Sequence, residues 1–64
     1  IKTYWCVTTS VYDDGRAIAA ITNCIRSEKK PENQFKELKH RDVYNDWFES
    51  KEEADQFVED ARNA

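Results

Sequence analysis

The sequence predicts a single α+β domain over residues 1–64, a small antiparallel sheet of three or four strands packed by one C-terminal helix. Three observations predict it. Two runs suited to strands, residues 2–12 and 16–28, flank Asp13-Asp14-Gly15. A helix-start signature at Ser50 precedes apolar residues at helical spacing. One glycine and one proline in 64 residues argue against disorder and low complexity.

The first element is the hairpin 2–12/16–28. A three-residue loop places Gly15 in the left-handed region, which glycine enters without a Cβ penalty, and sets Tyr12 opposite Arg16. Period-two alternation then puts Thr3, Trp5, Val7, Thr9 and Val11 beside Ala17, Ala19, Ile21, Asn23 and Ile25 on the expected core face. The second face carries Tyr4, Cys6, Thr8, Ser10 and Tyr12 beside Ile18, Ala20, Thr22 and Cys24. In this register Cys6 faces Thr22 and Cys24 is a diagonal neighbour, ~7–8 Å away, beyond the ~4.4–6.8 Å a disulfide needs. Reduced thiols are the expectation, as in a cytoplasmic chain.

Pro31-Glu32-Asn33 breaks the second strand. Residues 34–40 alternate poorly, so strand, short helix and loop stay open there, with a strand favoured. Residues 42–48 read as a strand through Val43, Tyr44, Trp47 and Phe48. Ser50 with Glu53 forms a capping box for a helix over 51–63, and Glu52 and Glu53 sit at the positive end of its dipole. Ala54, Phe57, Val58 and Ala61 make the stripe that closes the core.

Composition limits what such a domain does. With 39% hydrophobic and 36% charged residues, a chain this short buries only ~60% of its unfolded surface, so a staple or partner is expected to supplement the core. The longest apolar run, Ala17 to Ile21, is far below the ~20 residues that span a bilayer, and the start lacks a basic stretch followed by a long apolar segment. A soluble, cytoplasmic protein without membrane contact is expected. The chain opens at Ile1 and contains no methionine, so an initiator residue or a longer start is expected to have been trimmed.

The net charge of -3 is unevenly placed. Arg26, Lys29, Lys30, Lys36, Lys39 and Arg41 outnumber Glu28, Glu32 and Glu37 in the middle of the chain. Beyond it, Asp42, Asp46, Glu49, Glu52, Glu53, Asp55, Glu59 and Asp60 face only Lys51 and Arg62.

Catalytic signals are sparse. His40 is the only histidine and the cysteines lack zinc spacing, so no metal site and no cofactor are expected. No phosphate-cradling loop or nucleophile elbow is present, and Thr8, Thr9 and Ser10 read as strand residues. Asp42 and Asp46 share a face by alternation, which keeps a metal-dependent nuclease as a remote alternative.

The leading expectation is a noncatalytic protein-interaction module, a small inhibitor of a larger macromolecule. Glu52, Asp55 and Glu59 lie off the apolar stripe and offer carboxylates to a basic partner, as a nucleic acid would. A homodimer is expected through the half-apolar hairpin face at Tyr4, Cys6, Thr8, Ile18 and Cys24. The alternative is single-stranded nucleic-acid binding, with Lys29, Lys30, Lys36, Lys39 and Arg41 on phosphates and Tyr4, Tyr12 or Tyr44 stacking on bases. Strands followed by one terminal helix are similar in layout to small single-stranded-DNA-binding coactivator domains, and that resemblance implies the same alternative.

Overall fold

Gly15, at φ 89°, makes the first turn in the left-handed region, where a Cβ is strained. Its N–H donates to the Tyr12 carbonyl (2.9 Å) while the Tyr12 N–H donates to the Arg16 carbonyl (2.8 Å), the three-residue loop the sequence predicts. The computed structural model describes residues 1–63. In order they form β1 (Lys2–Tyr12), β2 (Ala17–Ser27), β3 (Gln34–Glu37), β4 (Arg41–Phe48) and α1 (Lys51–Asn63). The strands make one antiparallel sheet in the order β2-β1-β4-β3, with α1 packed on one side. This is a small α+β fold. The stretch left open at 34–40 holds the short strand β3, followed by a turn in which the Leu38 N–H donates to the Arg41 carbonyl (2.8 Å).

The β1–β2 register follows the turn from Val11↔Ala17 to Val7↔Ile21 and then shifts, pairing Cys6 with Asn23 and Trp5 with Cys24. Thr22 is the extra residue of a bulge. The expected Cys6–Thr22 pairing is therefore corrected, and so is the assignment of faces beyond it. Cys24 moves to the helix side with Trp5, while Asn23 and Ile25 move to the opposite side with Cys6 and Tyr4. Both cysteines are free thiols.

The helix side holds the core. Val7, Ala19 and Ala54 are buried, with Trp5, Ile21, Phe48, Phe57, Val58 and Ala61 packed around them. The Phe48 and Phe57 rings meet at 5.2 Å. Ser50 Oγ accepts the Glu53 N–H at 3.1 Å, satisfying one of the free amides that begin a helix.

The sheet order also dictates a crossing. β2 and β3 lie at opposite edges, so residues 28–33 must pass both central strands. Six residues reach at most ~20 Å, enough for three strand spacings of ~4.8 Å. The crossing lies on the side away from the helix, where Pro31 and Glu32 approach Cys6, Thr8 and Trp47. Asn33 anchors its end by accepting the Trp47 N–H at 2.9 Å. On that side Tyr4 and Cys6 are buried, although no helix covers them.

Candidate interaction surfaces

Pairing residues share a side of the sheet, which sorts the charges. On the helix side the strands present Glu37, Asp42 and Asp46, with Arg26 at the far end of β2. On the same side, Glu52, Glu53, Asp55, Glu59 and Asp60 are exposed on α1, which packs mainly over β2 and β1. The opposite side presents Lys2, Lys36 and Arg41, and no strand carboxylate. A chain of modest net charge thus becomes two-sided.

The acidic side is built by the helix. Its apolar stripe faces the sheet, so Glu52, Asp55 and Glu59 are directed to solvent. Asp55 receives Lys51 Nζ at 3.0 Å, an exposed i,i+4 pair of small energetic weight. Asp55 and Glu59 also line a groove of about 600 Å³ between α1 and the β2 edge, with Ala20, Ile21, Val58 and Arg62. Asp42 and Asp46 are half-buried on the same side. No group of three or more metal-ligating side chains forms among the described residues.

The basic side is organised around Tyr12. Arg16 lies over its ring at 5.4 Å and Arg41 at 5.9 Å, and Arg41 Nη1 donates to the Tyr12 hydroxyl at 3.3 Å. Asp14 holds Arg16 in place at 2.7 Å. Lys36 lies on the same side as Arg41, while Lys29 and Lys30 project from the crossing and Lys39 from the β3–β4 turn, all exposed. Of the three tyrosines considered for stacking, Tyr4 is buried and Tyr44 lies on the acidic side against Phe35, at 4.9 Å. Only Tyr12 joins the basic residues. The sequence places Tyr12 beside Arg16, but Arg41 reaches it through β1–β4 pairing, which no local pattern encodes.

The five residues expected to form a dimer face do not make one surface. Tyr4 and Cys6 are 3% and 4% exposed, and Cys24 faces the other way because of the bulge. Thr8 is half-buried and engaged twice, 2.7 Å from the Thr22 hydroxyl and donating at 2.7 Å to Asn45 Oδ1. Ile18, at 56%, is the one of the five exposed on the side away from the helix, and Cys24 is exposed on the helix side.

No family model matches the chain, and neither a curated protein nor a solved structure does. No helix among the described residues is long and apolar enough to cross a membrane.

Proposed function

We propose that this chain is a noncatalytic protein-interaction module whose acidic helical side binds a basic surface of a larger macromolecule and blocks it. One observation carries the reading: Glu52, Glu53, Asp55, Glu59 and Asp60 are all exposed on α1, and Glu37, Asp42 and Asp46 extend the same sign across the sheet below. Carboxylates spread over a rigid surface attract a basic groove at long range, and the attraction is screened over ~8 Å at physiological salt. Association through the sheet belongs to the same reading, because the core is small for a chain that must hold such a surface rigid.

An arginine-rich peptide serves as the probe. Wild type is expected to bind it with an affinity that falls as salt rises, and the triple variant Glu52→Gln, Asp55→Asn, Glu59→Gln is expected to lose most of that binding while keeping its circular dichroism. Equal binding by the variant would overturn the proposal. A second reading has its own observation, the Tyr12 ring set between Arg16 and Arg41 on the side without strand carboxylates. Single-stranded DNA retained by wild type and lost on reversing Lys29, Lys30, Lys36 and Lys39 would favour it.

A further inference from the structure

The helix covers only part of its side of the sheet. α1 packs over β2 and β1, meets β4 where Phe57 touches Phe48, and does not reach β3. Along the helix side of β4 the residues alternate as Asp42, Tyr44, Asp46 and Phe48, and Phe35 of β3 pairs with Tyr44. The uncovered part therefore carries an aromatic pair, its ring centroids 4.9 Å apart, with Phe35 56% and Tyr44 38% exposed. Carboxylates flank it. Asp42 and Asp46 stand on either side of Tyr44, each ~7 Å along the strand, and Glu37 lies directly opposite Asp42.

Left to itself, this patch is unfavourable twice over. The rings hold apolar surface in water, and like charges placed directly opposite each other repel. No ion pair among the described residues involves Glu37, Asp42 or Asp46, and the neighbouring Lys36 and Arg41 lie on the other side of the sheet. We infer that the Phe35–Tyr44 pair anchors an arginine side chain of the basic partner, its guanidinium stacked on the rings and donating to the carboxylates that flank them. This names the side chain that the acidic side selects and rests on the reading above. Arginine fits where lysine does not. A guanidinium is planar and weakly hydrated, so it lies on an aromatic face while its edge N–H groups reach a carboxylate, whereas an ammonium is compact and strongly hydrated. A phosphate-bearing strand would meet the same carboxylates and be repelled. Aromatic residues that receive arginine are also where binding energy concentrates in an interface, so the helix carboxylates attract the partner and the pair fixes it.

Two peptides of equal length and charge, one arginine-rich and one lysine-rich, test this by titration. Wild type should bind the arginine peptide about 10-fold more tightly, and Phe35→Thr with Tyr44→Thr should remove that preference while leaving the affinity for the lysine peptide unchanged. Tyr44→Phe keeps the ring and should keep the preference. NMR on wild type needs no variant: protons of the bound arginine side chain should move upfield under the ring currents and show contacts to the Phe35 and Tyr44 rings. Equal affinity for the two peptides, or bound arginine without ring contacts, would overturn the inference. Equal binding of both peptides that is lost in the Glu52→Gln, Asp55→Asn, Glu59→Gln variant would leave the acidic-surface reading standing alone. An arginine preference that survives that variant would do the reverse.

Discussion

Thr9 is 8% exposed on the helix side, and its hydroxyl has no partner among the described residues. A buried hydroxyl without a hydrogen bond costs ~1–3 kcal/mol, and valine keeps the branched shape that suits a strand. Thr9→Val should therefore raise the denaturant midpoint, by a stability gain of about 1 kcal/mol. Gly15 has the opposite character. A Cβ there meets nothing within 4 Å, so Gly15→Ala carries only the left-handed backbone penalty, a loss of ~1–2 kcal/mol. The neighbouring Asp14 accepts the Arg16 backbone N–H at 3.0 Å, and the guanidinium adds to this, so its carboxyl sits below the ordinary value of 3.8. A lowered folded value stabilises the turn above the ordinary one, and that stabilisation disappears as pH falls through the folded value. The stability gap between wild type and Asp14→Asn should accordingly narrow in acid, as midpoints measured at neutral and acid pH would reveal.

Among the elements, the helix is governed by its cap and its stripe. Ser50→Ala removes the bond to the Glu53 N–H and should cost ~1 kcal/mol. Phe57→Ala removes a ring packed on Phe48 and should cost about 3 kcal/mol, the low end for a phenylalanine because the side chain is half-buried. Denaturant midpoints in the reverse order would mean that the helix packs by another side. Both features were legible in the sequence, because a cap and an i, i+3, i+4 stripe are local signals, and α1 spans the expected 51–63. The hairpin was legible for the same reason, with β2 one residue shorter at each end than 16–28. The Thr22 bulge was not, since no glycine marks it and the pairing energy that places it comes from across the sheet. Residues 34–40 read ambiguously because β3 is uncovered on both sides, so nothing selects an alternating pattern there.

At the scale of the whole molecule the charge pattern becomes spatial. The acidic residues of α1 were legible as a surface, because the helical stripe fixes which positions point outward. The expected hairpin dimer face was not, because burial of Tyr4 and Cys6 follows from a sheet order that forces residues 28–33 across the sheet. The same order leaves β2 at an edge, where its uncharged sequence becomes conspicuous only in three dimensions. Central to the account is the assignment of the acidic helical side as the face that meets a basic partner. Titrating an arginine-rich peptide into isotopically labelled protein and following every backbone amide by NMR tests it most directly. Shifts concentrated on α1 around Glu52, Asp55 and Glu59, and fading as salt rises, are the predicted result; shifts centred on Tyr12, Arg16 and Arg41, or none at all, would contradict it.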